Sequence, residues 1–449
     1  MDPFSRNFAE MPGLTARGAM EESNRCLYCY DAPCIQACPT GINIPSFIKR
    51  IATGNLAGAA HTIMESNPVG ASCARVCPTE ELCEGACVLN ATSEPIAIGL
   101  LQRYATDWAM ADGRRMFKPG APTGIRVAVI GGGPAGLSAA RELARGGYEV
   151  TVYEERPFAG GLNTYGIVSF RLPQQISLWE VEQVKELGVN IRTGTKVGRD
   201  IAADRLLAEY DAVVLAAGMG YVPPLGLEGE QLEGVYDAIE LVESTKEGVP
   251  PCSFAGKRVA VIGAGNTAID AATTAMRLGA GNVKIVYRRT KEEMTAYNFE
   301  YRFAKQEGVE FEWLTSPARI IGDDAGRVAS LECVRMELTG ERGKDGRPVP
   351  APVADSLHRI AVDVVISAIG QQRRTGLIDM LGLQHARGVV EIDPVTRRTS
   401  NPKVYAAGDI IFGAGQGEAM VVSAAEQGKQ AAYAIINEMA GQSGAVRPA

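Results

Sequence analysis

The hydrophobic pattern along the chain repeats one arrangement twice. RVAVIGGGPAGLSAARELARGGYEVTVYEE, at 126–155, has an apolar strand, a glycine turn, an amphipathic helix and a second apolar strand that ends in acidic residues. KRVAVIGAGNTAIDAATTAMRLGAGNVKIVYRR, at 257–289, has the same order and nearly the same spacing, but its second strand ends in basic residues. Each stretch predicts a β-α-β unit of the kind found in nucleotide-binding domains.

Further patterns surround these two units. Three more apolar strands end in a glycine, YDAVVLAAG (210–218), VDVVISAIG (362–370) and KVYAAGD (403–409). In parallel sheets such carboxyl ends face the ligand crevice. Residues 23–112 have helical periodicity, and residues 113–124 have the Gly, Pro and Arg content of an exposed linker.

We therefore expect an α/β fold in which two nested Rossmann-like dinucleotide-binding domains follow a small, mostly α-helical domain. The expected ranges are 1–112 for the helical domain, 113–124 for the linker, 125–250 and 369–449 for the two parts of the first dinucleotide-binding domain, and 251–368 for the second.

Composition narrows the choice of partners. The chain has 449 residues, 22% of them charged, and a net charge of -7. No basic face favours nucleic acid or an anionic membrane as a partner. No apolar run reaches the ~18 residues of a membrane span, and the beginning, MDPFSRNFAEMPG, lacks the basic and apolar regions of a signal peptide. We expect a cytoplasmic protein without a nucleic-acid or membrane partner.

The first unit has the residues of a dinucleotide site. Gly131, Gly133 and Gly136 stand where a side chain would block the tight turn, the approach of a pyrophosphate, or helix–strand packing. The phosphates would lie at the start of the helix, near Pro134. Glu154, at the end of the second strand, is placed to accept hydrogen bonds from an adenosine ribose. The alternative is a glycine turn that binds nothing.

The second unit differs at two points. Its glycines are Gly263 and Gly265, and Ala268 replaces the third glycine. Arg288 and Arg289 stand where the first unit has its acid. Arginines can pair with a 2′-phosphate, so this site favours NADPH. NADH stays open, because one or both arginines could simply be solvated.

Eight of the ten cysteines lie between Cys26 and Cys87, in two groups. The first group is C-x2-C-x4-C-x3-C-P, with Cys26, Cys29, Cys34 and Cys38, and the second is C-x3-C-P-x4-C-x3-C, with Cys73, Cys77, Cys83 and Cys87. Eight thiolates suffice for two [4Fe–4S] clusters, and a Cys before Pro is typical of a ligand that crosses to a second cluster. Zinc is the alternative, but its four-cysteine sites usually pair two C-x2-C knuckles, and only one is present here.

Two adjacent dinucleotide domains, the second inserted into the first, resemble the two-dinucleotide-binding flavoprotein reductases over residues 126–440. The resemblance implies FAD in the acid-ended unit, NADH or NADPH in the other, and ribityl contacts from Gly408 and Asp409. It also implies that the helix from about Glu418 directs its positive end at the flavin. The alternative for Asp409 is an ordinary helix N-cap. The implied cofactor-binding residues are Gly131, Gly133, Pro134, Ala135, Gly136, Glu154, Gly161, Leu162, Arg171, Ala217, Gly218, Gly263, Gly265, Asn266, Thr267, Arg288, Arg289, Ala368, Gly370, Gly408, Asp409, Glu418 and Ala419.

NPVGASCARVCPTEELCEGACVLN, followed by IGLLQRYATD, is similar to the amino-terminal region of dihydropyrimidine dehydrogenase and of the glutamate synthase small subunit. In the dehydrogenase family the ligands of the two clusters interleave. The resemblance implies one cluster on Cys26, Cys29, Cys34 and Cys87, and another on Cys38, Cys77, Cys83 and Gln102. Cys73 is then not a ligand, although spacing alone would choose it over Gln102.

The segments YRRTKEEMTAYNFEY, GIVSFRLP and GQGEAMVVSAAEQGKQAA most resemble the bacterial dihydropyrimidine dehydrogenase subunit that takes electrons from a nicotinamide. The resemblance implies that the chain oxidises NAD(P)H at FAD and passes electrons through the clusters to a partner. That partner, an FMN- and Fe–S-containing subunit, would reduce uracil or thymine, and no side-chain acid or nucleophile on this chain is needed. Two alternatives stay open, a glutamate synthase small subunit or related paralogue, and a non-catalytic Fe–S or zinc scaffold.

Overall fold

The computed structural model describes residues 7–220, 222–343, 346–413 and 419–443. These divide into two compact units. The smaller unit consists of the described residues of 1–10, 165–170 and 220–372, and the larger unit of those of 11–164, 171–219 and 373–449. The cysteine groups and the first β-α-β unit lie in the larger unit, and the second β-α-β unit lies in the smaller one.

The larger unit begins with six short helices: α1 (Ala16–Ser23), α2 (Pro33–Gln36), α3 (Ile44–Ala52), α4 (Leu56–Ser66), α5 (Gly70–Val76) and α6 (Ile98–Asp112). Local sequence sets their ends. Asn43 and Asn55 cap α3 and α4, each by accepting a backbone N–H with its side-chain oxygen. Gly113, with φ of +68°, ends α6.

The buried faces of these helices form one core. Phe47, Ile48, Ile63 and Leu101 are fully buried in it, and each contributes roughly 1.5–3 kcal/mol by leaving water. The side chains packed against this core include five cysteines, Cys26, Cys34, Cys38, Cys83 and Cys87. The thiols are therefore held on a packed interior.

The elements that follow in the chain are β1 (Arg126–Ile130), α7 (Pro134–Arg145), β2 (Glu149–Tyr153), α8 (Leu162–Tyr165), α9 (Gln174–Lys185), β3 (Asn190–Arg192), α10 (Ala203–Glu209), β4 (Ala212–Leu215), β5 (Val235–Asp237), α11 (Ala238–Lys246), β6 (Arg258–Ile262), α12 (Asn266–Arg277), β7 (Asn282–Val286), α13 (Asn298–Gln306), β8 (Glu310–Glu312), β9 (Thr315–Gly322), β10 (Val328–Arg342), β11 (Pro348–Pro352), β12 (His358–Ala361), β13 (Val364–Ser367), α14 (Thr375–Met380), β14 (His385–Ala386), β15 (Val389–Val390), β16 (Val404–Ala406) and α15 (Val421–Ser443).

Each unit contains a five-stranded parallel sheet of the same design. The larger unit has the order β16-β4-β1-β2-β3, and the smaller unit has β5-β13-β6-β7-β8, beside an antiparallel sheet of β9 to β12. In both sheets the strand before the glycine turn, β1 or β6, is central. The next two strands of the parallel sheet lie on one side of it, and a later strand of the chain, β4 or β13, lies next to it on the other side. This reversal creates the crevice in which ligands bind, and the architecture confirms the predicted α/β class.

The smaller unit extends beyond the expected range 251–368. Strand β5 pairs with β13, and α11 packs Leu241 into the same core as Phe254. Residues 220–250 therefore belong to this unit and not to the other one. The alternation of apolar and polar residues in this stretch is weak, and the stretch comes before the glycine turn. The sequence pattern alone therefore did not assign it to the smaller unit.

The expected linker, 113–124, is mostly exposed but anchored in the larger unit. The ring of Phe117 lies 4.9 Å from the guanidinium of Arg141 and 4.9 Å from that of Arg145. The backbone N–H of Gly120 donates to Ala144, at the end of α7, at 3.1 Å. Apart from these anchors, most of its residues face solvent.

Among the residues that the structure describes, none of the helices combines the length and the apolar character needed to cross a membrane.

Candidate functional site

The first glycine turn lies between β1 and α7, beside the carboxyl end of β4. Gly131 has φ of +101°, and a Cβ there would overlap the carbonyl oxygen of Ala216. A Cβ at Gly136 would overlap the carbonyl oxygen of Gly131. Gly133 differs, because its Cβ position meets only the Cα of Gly161, at 3.8 Å. The fold itself requires the first and third glycines, whereas the second leaves open backbone that fits a pyrophosphate.

Helix α7 begins at this turn with Pro134 in its first turn, a position where the missing N–H is no loss. Ala135 is buried where α15 crosses α7, and a Cβ at Gly428 would overlap its carbonyl oxygen. Sequence reasoning missed Gly428. Its signal is the helical spacing of small residues in α15, Ala424, Gly428 and Ala431.

Glu154, at the end of β2, is buried, with 6% of its surface exposed. Its Oε2 accepts the N–H of Gly132 at 2.8 Å, and its Oε1 accepts the N–H of Arg156 at 2.9 Å. Burial raises the pKa of this carboxyl, and the two backbone donors oppose that rise. Its orientation is thus fixed beside the glycine turn, and the remaining lone pairs suit the ribose hydroxyls of an adenosine.

The second half of this crevice comes from the segment after β16. Gly408 has φ of +79° and donates its N–H to Oε1 of Gln427 at 2.8 Å. Burial raises the pKa of Asp409, and the positive charge of Arg373 opposes this rise. Arg373 also donates a hydrogen bond to the carbonyl oxygen of Asp409 at 3.0 Å. Asp409 is therefore fixed at the crevice through its backbone.

The other predicted residues of this unit differ in how far they are exposed. Gly161, Ala217, Gly218 and Arg171 are half-buried, and Leu162 is exposed. A Cβ at Gly161 would lie 2.8 Å from the Cα of Gly133, so the two backbones approach closely. Ala419 is exposed just before α15. Glu418 lies outside the described residues.

The smaller unit has a glycine turn of the same kind. Gly263 has φ of +126°, and a Cβ there would overlap the carbonyl oxygen of Ala368, at the end of β13. The Cβ position of Gly265 meets only Oγ1 of Thr295, at 3.3 Å. The turn is thus closed against the strand end and open at its second glycine, as in the larger unit, and it too fits a pyrophosphate.

Three more predicted residues lie near this second turn. Asn266 and Thr267, in the first turn of α12, are exposed, and Oδ1 of Asn266 accepts the N–H of Tyr297 at 3.3 Å. Gly370, after β13, is exposed with φ of +100°. All three are accessible to a ligand at the carboxyl edge of the sheet.

The two predicted arginines have different environments. Arg288 is exposed at the end of β7. Arg289 is buried, and its Nε donates to the carbonyl oxygen of Pro348 at 2.9 Å. The local pattern had treated them alike, whereas the structure gives Arg289 a role in holding strand β11. Of these two arginines, Arg288 is the one exposed to solvent.

Four thiols meet at one cavity of the larger unit. Cys26, Cys29, Cys34 and Cys87 line it. Its other lining residues are apolar: Leu27, Ala32, Pro33, Ile44, Pro45, Ile48, Ala86, Val88, Leu89, Ile96 and Ile98. Burial, together with the nearby Cys26 and Cys87, raises the pKa of Cys34 to about 11. Crowded thiols in an apolar pocket are the donor set that an iron–sulfur cluster fits.

Four further thiols, Cys38, Cys73, Cys77 and Cys83, form a second group. Cys77 hydrogen-bonds Cys73, and this bond, burial and the nearby Cys83 and Cys38 raise its pKa well above the usual value. Gln102, on α6, is buried, and its Nε2 donates to the carbonyl oxygen of Gly70 at 2.7 Å. With Nε2 bound in this way, Oε1 is the atom of Gln102 that is left to bind a metal.

Within the described ranges, no three His, Cys, Asp or Glu side chains converge tightly enough to hold a single metal ion. Both thiol groups are assembled from residues that are distant in sequence. Cys87 lies with the amino-terminal cysteines of the first cavity, whereas Cys38 lies near Cys77 of the second group. The two groups therefore interleave along the chain.

Helix α15 contacts both the second thiol group and the crevice at the first glycine turn. Its residues Val422 and Ala425 pack against Val69 and Cys73 of the cluster region. One turn further along, Gly428 lies against Ala135 of the glycine turn. All of these residues belong to the larger unit, so one helix contacts both sites.

Two buried charges fasten the same region. Arg141 of α7 donates to the carbonyl oxygens of Met64 and Glu65, in the last turn of α4, the second at 2.8 Å. Nζ of Lys429 donates to the carbonyl of Ser66 at 2.7 Å. Such cations satisfy carbonyls that the end of a helix leaves unpaired.

Glu180, on α9, fastens the helix that carries Cys73. Its carboxylate accepts the backbone N–H of Ser72 at 2.8 Å and the Ser72 hydroxyl. It is 1% exposed, and burial raises its pKa to about 7 against these hydrogen bonds. Pattern reasoning could not find this contact, because the two residues are 108 positions apart.

Comparison with known proteins identifies both regions. Residues 5–114 match the family described as dihydropyrimidine dehydrogenase domain II, 4Fe-4S cluster. Residues 125–428 match the pyridine nucleotide-disulphide oxidoreductase family. The 4Fe–4S match decides against zinc for the cysteine region.

Curated relatives are similar over most of the chain. The glutamate synthase [NADPH] small chain of Escherichia coli is 37% identical over 93% of this chain and 91% of its own length. The NAD-dependent dihydropyrimidine dehydrogenase subunit PreT of Salmonella typhimurium is 36% identical over 94% and 95%. The NADP(+)-dependent formate dehydrogenase subunit beta of Moorella thermoacetica is 38% identical over 90% of this chain, which spans 59% of that relative.

Solved structures share the fold. FprA of Mycobacterium tuberculosis in complex with NADPH has a TM-score of 0.58 at 20% identity, over 72% of this chain and 87% of its own. T. acidophilum thioredoxin reductase has a TM-score of 0.54 at 24% identity, over 70% and 98%.

These matches confirm the predicted resemblance, the order of an Fe–S domain before the dinucleotide-binding domains, and the cofactor types. The number of clusters and the individual ligands stay predictions. The chain belongs to the pyridine nucleotide-disulphide oxidoreductase family, in the group with an amino-terminal 4Fe–4S domain, and is an NAD(P)H oxidoreductase that uses flavin and iron–sulfur cofactors.

Proposed function

We propose that this chain is the electron-input subunit of a dihydropyrimidine dehydrogenase. It oxidises NAD(P)H and delivers the electrons to a partner subunit that contains FMN and Fe–S clusters and reduces uracil or thymine. The observation that carries this proposal is the shared helix α15, which packs on Ala135 at the glycine turn and on Cys73 beside the second thiol group. Such a contact suits a chain whose flavin and clusters must exchange electrons.

In this proposal FAD, when bound, would supply the chemistry that links two-electron hydride transfer from the nicotinamide to one-electron transfer to the clusters. The chain holds and orients the groups. Open backbone at Gly133 and the start of α7 would bind the FAD pyrophosphate, and Glu154 would accept ribose hydroxyls. Gly265 and Arg288 would hold the nicotinamide dinucleotide in the smaller unit. Gly408 and Asp409 would contact the ribityl chain of FAD.

Two [4Fe–4S] clusters are part of the proposal. Cys26, Cys29, Cys34 and Cys87 would hold one, since they line one cavity. Cys38, Cys77, Cys83 and Gln102 would hold the other.

Iron analysis of anaerobically prepared variants tests the ligand choice. Gln102→Leu should lose about four of eight irons and the signal of one cluster, whereas Cys73→Ala should keep all of them. The reverse result would make Cys73 the ligand and refute the assignment of Gln102.

Anaerobic titration tests the function as a whole. NADH or NADPH should bleach the flavin absorbance and then produce the electron paramagnetic resonance signals of reduced clusters. Protein with a flavin that neither nicotinamide bleaches would overturn the proposal. With a purified FMN subunit present, the mixture should consume uracil, and this chain alone should not.

A glutamate synthase small chain is the second candidate. It is favoured by Arg288, whose exposed guanidinium suits NADPH, the nicotinamide in the name of the 37% identical Escherichia coli relative. Affinity purification of the tagged chain from its native cells separates the two. An FMN subunit with pyrimidine activity supports the first proposal, and a large glutaminase-containing chain supports the second.

A further inference from the structure

The first thiol group lies close to the surface of the larger unit. Two of the apolar residues that line its cavity, Leu27 and Val88, are 62% and 42% exposed. Tyr30, which directly follows Cys29, is fully exposed. We call Leu27, Tyr30 and Val88 the cluster-edge patch. Large apolar side chains exposed together beside a buried site are typical of an interaction surface.

The two segments that contain the patch residues have charges of one sign. Residues 26–48 and 77–102, which contain seven of the eight clustered cysteines, include five acidic residues and no Lys, Arg or His. The five are Asp31, Glu80, Glu81, Glu84 and Glu94. The bases that flank these segments in sequence each have a partner: Arg25 pairs with Glu22, Lys49 lies over the ring of Tyr28, and Arg75 and Arg103 both pair with Asp107. The two segments that contain the patch residues are therefore acidic as a whole.

We propose that the cluster-edge patch is the docking site for an electron-accepting protein that has basic residues around its own redox group. The inference rests on the proposed function, because a chain that collects electrons must release them where a cluster is near its surface. Opposite charges would orient the acceptor, and Tyr30 and Leu27 would be buried against it. Each NAD(P)H gives two electrons, which reduce two one-electron acceptors, and NAD(P)⁺ and one proton are released.

Cytochrome c tests this docking, because it is a basic one-electron acceptor and acetylation of its lysines removes that charge while keeping the haem. Anaerobic holoprotein with NADPH should reduce native cytochrome c at least about tenfold faster than acetylated cytochrome c at low salt, and the ratio should fall as salt rises. Ferricyanide, which is small and needs no protein docking, gives the reference rate.

Two variants address the patch itself. Tyr30→Ser should lower the rate with native cytochrome c by about tenfold. Asp31→Lys with Glu81→Lys should remove the difference between native and acetylated cytochrome c. Val395→Ser and Glu149→Lys make the same kinds of change at exposed positions elsewhere in this unit and should match the wild type. Flavin bleaching, iron content and the ferricyanide rate should be unchanged in all four variants.

Equal rates with native and acetylated cytochrome c would overturn the inference, as would patch variants that behave like the controls. If the patch variants turn a dimer into a monomer by light scattering and keep the cytochrome c rate, the patch binds a second copy, which also overturns it. Failure of the proposed function is read separately, because the wild-type flavin would then not bleach before any acceptor is added.

Discussion

Arg141 is predicted to hold the cluster region onto the flavin-type domain. Its side chain is 3% exposed and makes an ion pair with Glu142 at 2.6 Å. It also donates to two carbonyl oxygens at the end of α4, those of Met64 and Glu65. Replacing it with Met keeps the apolar stem and removes the cation.

The expected loss of stability follows from the groups that lose their partner when Arg141 is replaced. Arg141→Met removes two charge-assisted hydrogen bonds and leaves Glu142, 5% exposed, with only Arg145 at 3.3 Å and the hydroxyl of Tyr433 at 3.1 Å. Removing one member of a buried pair costs about 3–5 kcal/mol. The matched control is Arg145→Met, one turn away and 25% exposed, where loss of a partly exposed pair costs about 0.2–1 kcal/mol.

Hydrogen exchange followed by mass spectrometry is the suitable assay, because a chain with two units is not expected to unfold in one step. The free energy of opening of amides in α4 and α5 should fall by about 3 kcal/mol or more in Arg141→Met and by about 1 kcal/mol or less in Arg145→Met. Equal losses in the two variants, or unchanged protection of α4 in Arg141→Met, would refute the reasoning.

Three further predictions follow from the same contacts. Gly133→Ala should fold normally yet bind less FAD, whereas Gly136→Ala should lose thermal stability, because only the latter Cβ overlaps backbone; the melting temperature and the FAD-to-protein ratio measure this. Burial raises the pKa of Glu180 from 4.5 to about 7, so the folded state binds the proton more tightly. About 3 kcal/mol of stability of the larger unit, fully present below pH 4.5, should be lost as the pH rises through 7. The urea midpoint for unfolding of that unit should fall with it, and Glu180→Gln should lack this pH dependence. Arg288→Ser should weaken NADPH binding by about 10-fold or more and leave NADH binding unchanged, whereas Arg289→Ser should mainly lower the melting temperature, and equal effects on NADPH binding would contradict the assignment.

The sequence was sufficient where the physics is local. The glycines at 131 and 263 mark turns that no other residue permits beside a neighbouring strand, so the two β-α-β units could be predicted from the pattern. The cysteine spacings likewise indicated clusters. The choice between Cys73 and Gln102 stays a prediction, because Gln102 lies on another helix and local spacing contains no information about it.

The remainder depends on contacts between distant segments. Arg289 has the same local pattern as Arg288, but it is buried and bonds to Pro348, 59 residues away. Arg141 occurs in an amphipathic helix, where a cation is normally expected to face water. Its burial against α4 depends on tertiary packing, which periodicity cannot predict. Glu180 and Ser72 are another such pair.

Helix α15 has a consequence for the kinetics of the protein. Because one continuous helix touches both the glycine turn and the helix of Cys73, the spacing of the two sites within the larger unit is set by covalent geometry and side-chain packing. No swinging arm has to carry charge between them. Electron flow inside this unit should therefore be independent of solvent viscosity, and a viscosity effect on turnover would come from steps outside it.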